Sequence, residues 1–288
     1  MKTVSLKIVV MTVLLMSASV TAAHAGTWML GLKGWYTSWD SSVIGWFEKN
    51  QEALFAENGV SMDVKKDTGT GYLVGPVLGF QTDNGDWSVS LAAMVFSQFN
   101  QSIDMESEGM GEIETDGELD RKDFDLTVTY SLFKYGDRFS LFKYQNVFLG
   151  CKYQLANMDL DITFDTLGPF KVAHNEIEQA VFMPTIGTGF SFPLWSKTAA
   201  GLQLGLLYVI PDMKFKNDTG THNIWTEPSF GFNGEITFSY LPFNSFVMQL
   251  GYRYQAFSLT AGFLDNPDAE TKSQDITHGP TLTLVYLF

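Results

Sequence analysis

The feature that most constrains this chain is a period of two. Ten segments of about ten residues alternate apolar side chains with small or polar ones, and the apolar row carries almost no charge. Trp28, Leu30, Leu32, Gly34 and Tyr36 form one such row, against Thr27, Met29, Gly31, Lys33 and Trp35. Others run along Phe230, Phe232, Ile236, Phe238 and Tyr240, and along Phe246, Met248, Leu250, Tyr252 and Tyr254. The remaining seven lie near residues 72–81, 87–95, 124–132, 146–153, 182–190, 200–208 and 279–288. Successive side chains of a strand point to opposite faces, so sustained alternation reads as strand. About ten residues is the length with which a tilted strand crosses a bilayer. A soluble sandwich would also alternate, but its outer face would be charged. The simplest solvent for an uncharged, aromatic-ended face is lipid.

The connections alternate in length. Those at 83–86, 134–138, 193–197 and 241–244 are short and rich in Gly, Pro, Asn or Asp. Those near 39–70, 98–123, 156–179, 212–228 and 257–275 are long and polar. The predicted fold is therefore all-β: a single antiparallel transmembrane β-barrel of ten strands, with short periplasmic turns and long extracellular loops. Strong pairing inside 39–70 or 156–179 would make the number twelve. An even number puts both termini on the short-turn side. Gly75-Pro76, Pro184 and Gly279-Pro280 predict bulges or kinks, because proline removes a ladder donor.

Residues 1–25 differ from the rest. Lys2 and Lys7 precede an apolar run from Ile8 to Met16, and Ala23-His24-Ala25 is a small-x-small cleavage site. This is the pattern of a secretory signal peptide. Residues 26–288 would then be the barrel: 263 residues of formal charge −16, two lysines having left with the leader. A single cysteine, Cys151, excludes a disulfide scaffold, and the acidity excludes a nucleic-acid binder. No apolar run of 18 follows Gly26, which excludes a helical membrane protein.

The last strand, from Gly279 to Phe288, alternates apolar residues and ends on an aromatic. It resembles the terminal strand of bacterial outer-membrane β-barrel proteins, with Tyr286 and Phe288 as the assembly signal. The likeness is to the small porin-like barrels as a class, not to one family. It implies the outer membrane of a Gram-negative bacterium, periplasmic termini and insertion by the barrel-assembly machinery. It also implies contact with outer-membrane lipid and lipopolysaccharide. It sets no oligomeric state.

Ten-stranded barrels of that class include the omptin proteases, whose site needs carboxylate pairs and an Asp–His pair on the lumen wall. After the leader the histidines are His174, His222 and His278. The first two fall in predicted loops. His278 lies three residues from Asp275, an odd offset that places the two on opposite faces. No catalytic residue and no bound cofactor is therefore expected. His278 has outward parity near the outer rim and reads as an interfacial histidine. A lipid hydrolase would need a serine on a neighbouring strand, and no spacing identifies one.

The charge is concentrated. Segment 100–123 holds nine carboxylates against Arg121 and Lys122. Asp104, Glu106, Glu108, Glu112, Glu114 and Asp116 are the metal candidates, because hard cations need clustered carboxylates. Divalent cations at such surface loops are the one ligand class that the charge implies. No calcium-loop spacing occurs, and a solvated, self-repelling loop accounts equally for the composition. In the first long connection, Val43, Trp46, Phe47, Leu54 and Phe55 could make a helical stripe. Such a stripe would fold into the barrel mouth or rest on the membrane, unless the segment is a plain packed loop.

Five charges have inward parity: Lys33, Asp125, Lys152, Glu235 and Arg253. Setting Tyr240 opposite Phe246 across the 241–244 turn puts Glu235 opposite Gly251, with Arg253 as its diagonal neighbour. A Lys33–Glu235–Arg253 network is expected, since buried charges must be paired. It would act as a structural plug or as a constriction that filters small solutes. The chain thus reads as a narrow channel or porin-like transport barrel. The alternative is a non-conducting structural or adhesin-like barrel that binds partners or cations through its acidic loops.

Overall fold

The structure, a computed structural model, describes residues 26–57, 62–66, 68–107, 111–133, 144–164, 170–263 and 270–288. Its strands are β1 (Gly26–Asp40), β2 (Met62–Lys66), β3 (Gly69–Thr82), β4 (Trp87–Met94), β5 (Phe96–Ser107), β6 (Gly111–Phe133) and β7 (Tyr144–Phe164). They continue as β8 (Phe170–Trp195), β9 (Thr198–Asn217), β10 (Gly220–Glu227), β11 (Ser229–Phe243), β12 (Phe246–Phe263) and β13 (Thr271–Leu287). One helix, α1 (Ser42–Glu57), follows β1. Among the described residues no helix is long and apolar enough to cross a membrane.

The sheet closes. In antiparallel order β1, β3, β4, β6, β7, β8, β9, β11, β12 and β13 form a ring of ten, and β13 pairs back onto β1. Trp28 N–H donates to Phe288 O at 2.8 Å and Phe288 N–H to Trp28 O at 3.0 Å, so the seam is bonded to its last residue. Closure removes the edges that lipid could not satisfy.

Every apolar row named above faces outward. Leu149, Leu206 and Ile236 are more than 60% exposed, a state that only a lipid surround makes sense of. Aromatics mark two girdles: Trp87, Trp195, Tyr240 and Phe288 on the turn side, and Tyr36, Tyr72, Phe96 and Phe230 on the other. Along β11, the ten steps from Phe230 to Tyr240 make about 33 Å of strand, and about 25 Å of height at the usual tilt.

Above the upper girdle the expected loops are largely strand, which corrects the sequence reading. β5–β6, β7–β8 and β9–β10 continue as tall hairpins, and β2 pairs only with β5, at Met62↔Ser107 to Lys66↔Ile103. Pairing does occur inside 156–179, yet it lengthens existing strands and leaves ten in the ring. His174 and His222 accordingly lie on β8 and β10. The reason is solvent. Outside the bilayer the outward face is polar and the apolar residues turn inward, as Met158 and Leu160 do on either side of Asp159, so the lipid-facing apolar row vanishes while the backbone ladder continues.

The 241–244 turn is also corrected. β11 runs to Phe243, which pairs with Phe246, and an irregularity between Tyr240 and Phe243 shifts the register. Tyr240 therefore faces Met248, and Glu235 faces Arg253 rather than Gly251. A two-residue shift preserves the faces. Pairing lapses beside each expected proline: between Phe182 and Thr185 on β8, between Val74 and Val77 on β3, and between His278 and Thr281 on β13. At Gly279 a Cβ would lie 2.1 Å from Tyr36 O, so only glycine fits there.

Candidate functional site

The lumen is filled in layers. At the turn end lies a cavity of about 250 Å³, walled by Asn146, Ser191, Gln203, Thr237, Ser239 and Gln249. Its width comes from Gly189, Ala199 and Gly201, whose side chains are minimal. Lys33 and Glu235 line its inner end.

The central layer holds the five charges read from parity. Lys33 Nζ donates to both oxygens of Glu235 at 3.2 Å, and Thr281 Oγ1 adds a hydrogen bond of 3.0 Å to Oε1. Arg253 Nη2 meets Asp125 Oδ2 at 3.1 Å, and Lys152 Nζ meets the same oxygen at 3.3 Å. Lys152 also reaches Gln255 Oε1 at 3.5 Å. With its amide turned to suit both neighbours, Asn233 donates to Gly205 O at 3.0 Å and accepts from Lys152 at 3.1 Å. The expected Lys33–Glu235–Arg253 network is thus two clusters. Arg253 faces Glu235 across the strand pair, yet its guanidinium bonds Asp125 on the far wall, 128 residues away in sequence. Strand-pair geometry could not reveal this, because the contact crosses the lumen rather than running along a ladder.

Above it lies a layer that sequence reasoning missed. Arg121 is fully buried, and its Nε and Nη2 grip the two oxygens of Asp123 at 2.8 and 2.9 Å. Its Nη1 donates to Thr277 Oγ1 at 2.7 Å. The guanidinium lies 4.7 Å from the Trp39 ring and 5.7 Å from that of Trp35. Arg253 lies 4.8 Å from the Trp35 ring. In sequence Arg121 and Asp123 belong to the acidic segment 100–123. Their odd numbers share the inward parity of Asp125, and that was the available signal.

The outermost layer is apolar. α1 turns into the mouth, and Val43, Ile44, Trp46 and Phe47 are buried with Leu160, Ile177, Met213, Ile224 and Leu259. Of the readings for this segment, it is the one in which the stripe enters the mouth; the side chains of Leu54 and Phe55 lie outside the described residues. Ser41 starts the helix, its carbonyl accepting from Gly45 N–H at 3.1 Å. Asp275 holds that end, accepting from Ser42 N–H at 3.3 Å, Ser42 Oγ at 3.1 Å and Trp39 Nε1 at 3.1 Å. Ser273 Oγ donates to Ser42 O at 2.9 Å, and Lys49 Nζ donates to Lys272 O.

Of the metal candidates, Asp104 pairs with Glu114, Glu106 with Glu112 and Asp116 with Ser102 along the β5–β6 hairpin. Their side chains, and Glu108 entirely, lie outside the described residues. His278 faces outward at the upper girdle. Its Nδ1 lies 2.7 Å from the Tyr252 hydroxyl, and its ring stacks on Tyr254 with centroids 6.2 Å apart. Ser38 is its cross-strand partner on β1. Tyr286 and Phe288 stack with centroids 6.3 Å apart beside the closing seam.

No protein-family model and no curated protein matches the chain. Among solved structures it is similar to the outer membrane protease OmpT from Escherichia coli, with 11% identity and a TM-score of 0.54, covering 91% of this chain and 95% of that one. OprG from Pseudomonas aeruginosa aligns at 15% identity and a TM-score of 0.32, covering 92% and 96%. The toluene transporter TodX from Pseudomonas putida aligns at 10% and 0.29, covering 92% and 89%. The chain has the fold of the bacterial outer-membrane β-barrels.

Proposed function

We propose that this protein is a barrel of the Gram-negative outer membrane that passes small polar solutes through a lumen closed at rest by its own first long connection. The observation that carries the reading is the nature of the seal. Below it is a polar cavity of about 250 Å³, and above that the path is blocked by side chains and one helix inserted from the rim. The helix can be withdrawn without breaking the ring, and the ion-paired side chains beneath it then form the constriction. Four side chains of α1 are buried in the mouth: Val43, Ile44, Trp46 and Phe47. Exposing them costs at most about 6–12 kcal/mol, at about 1.5–3 kcal/mol each. The closed form dominates, and conduction consists of rare openings.

In this reading residues 1–25 are removed, the turn side with both termini is periplasmic, and Tyr286 and Phe288 are read by the barrel-assembly machinery. Lipid and lipopolysaccharide surround the girdles. Divalent cations gather at the β5–β6 hairpin, where Asp104 is registered with Glu114 and Glu106 with Glu112, like-charged residue types that are unfavourable as cross-strand partners unless screened. No hydrolytic step, cofactor or nucleic acid is part of it.

Planar-bilayer recording of the refolded protein tests the reading. Infrequent small steps are expected from the wild type, and longer openings from Asp275→Ala, which frees the start of α1. Silence from the wild type, Asp275→Ala and Arg253→Ala alike would refute it. The non-conducting, surface-interaction barrel would then stand, favoured by the complete filling of the mouth.

A further inference from the structure

Three cross-strand rows build the cavity at the turn end. Asn146, Gly189, Gln203 and Glu235 stand opposite one another along β7, β8, β9 and β11. Ser191, Gly201 and Thr237 form the next row towards the turns, and Ala199, Ser239 and Gln249 the one after it. Barrels near this size are ordinarily filled by side chains. Here Gly189, Ala199 and Gly201 recess the β8–β9 wall, with Asn146 on one flank of the alcove and Thr237, Ser239 and Gln249 on the other. The 250 Å³ left open is the share of about eight waters, or of one solute of about monosaccharide size.

The lining selects by chemistry. Among the described residues its charges are Lys33 and Glu235, which bond each other at 3.2 Å and offset one another. A solute of net charge would find no counter-charge to replace its lost hydration. The other inward side chains are amides, hydroxyls and the small residues of the alcove; Phe190, Ala200 and Leu202 have outward parity and contribute backbone. An apolar solute would leave those amides and hydroxyls without water or partners. A neutral polyhydroxyl solute meets both demands, because each hydroxyl donates and accepts. Gln203 is exposed despite its inward parity, so its amide stands in the cavity. Asn146 Oδ1 lies over Gly189, where a Cβ would be 2.6 Å from it, and has no hydrogen-bond partner among the described residues. The torsion that carries this oxygen is soft, so a ligand hydroxyl can draw it into the cavity. At the inner end an ammonium donor and a carboxylate acceptor lie side by side, and two neighbouring hydroxyls of one polyol complement them through charge-assisted bonds. We infer that the barrel binds one neutral polyol of about monosaccharide size in this cavity. The site stands without conduction; that the bound polyol is also the solute passed rests on the reading above.

Calorimetric titration of the refolded barrel in sugar-free micelles tests the site, with D-glucose as the polyol, glycine as a zwitterion and toluene as an apolar solute. Saturable binding of glucose is expected, with glycine and toluene at least about tenfold weaker. Ala199→Leu fills the alcove without removing a polar group and lowers glucose affinity at least about tenfold. Asn146→Leu keeps the bulk and removes the amide; affinity falls about three- to tenfold, the effect of one hydrogen bond. The wild-type unfolding midpoint also rises with glucose concentration, which needs no variant to fold. Absence of saturable glucose binding by the wild type, equal binding of glycine or toluene, or full glucose affinity in Ala199→Leu would each overturn the inference. Glucose entry into proteoliposomes carrying Asp275→Ala separates the site from the transport reading. Binding without entry keeps the site and removes that reading. Entry without saturable binding overturns the inference and leaves the reading in place.

Discussion

Arg121 and Lys122 are neighbours in sequence with opposite surroundings, and replacing each by methionine separates a buried ion pair from a solvated one. Arg121 is fully buried and bidentate to Asp123 at 2.8 and 2.9 Å. Arg121→Met retains the apolar stem and removes the charge, leaving the Asp123 carboxylate buried without a partner. Stranding a buried charge costs about 3–5 kcal/mol. Loss of the contacts with Trp39 and Trp35 falls inside that range, at about 1–2 kcal/mol. Lys122 instead pairs with Asp120 at 3.0 Å, the two side chains being 44% and 50% exposed. Water screens that pair, and its loss costs at most about 1 kcal/mol. The assay is urea unfolding of barrels refolded into lipid vesicles. Arg121→Met should lower stability by at least about 2 kcal/mol more than Lys122→Met. The double variant Arg121→Met/Asp123→Leu should regain most of the loss, since a buried pair replaced by apolar groups is often neutral. Equal losses for Arg121→Met and Lys122→Met, or additivity in the double variant, would refute the reasoning.

Two further outcomes follow from the geometry. Gly279→Val should block closure of the β1–β13 seam, since its Cβ would meet Tyr36 O at 2.1 Å; refolding yield in micelles falls sharply while Gly34→Ala, whose Cβ would meet nothing closer than 3.9 Å, folds nearly as wild type. Deleting Phe288 removes the aromatic end of β13 and two seam hydrogen bonds. Insertion in cells should fall several-fold while refolding into micelles changes little, a split that separates an assembly signal from a stabilising contact.

The transmembrane part of the fold was legible because lipid imposes a rule on every second residue. Leu30, Leu32, Leu149, Leu206 and Ile236 had to be apolar, and their alternation marked the strands and both faces. The same rule exposed Lys33, Asp125, Lys152, Glu235 and Arg253 as lumen residues. It lapsed above the girdle, where water accepts either face. There Asp159, Glu176 and Lys216 continue the ladder without an outward apolar row, while Met158, Leu160, Ile177 and Met213 face inward, and the hairpins looked like loops.

Sequence alone determined the class of fold, the ten lipid-crossing segments and five of the inward charges, because each depends on local alternation against a single solvent. Only the closed structure decided which lumen groups meet. Arg253 with Asp125, Lys33 with Glu235 and Arg121 with Thr277 are separated by 128, 202 and 156 residues. Their partners were chosen by ring closure and by a two-residue shift at one turn. The direction of α1 was likewise tertiary: an apolar stripe suits a membrane surface or a mouth, and Asp275 and Ser273 on β13 draw it inward.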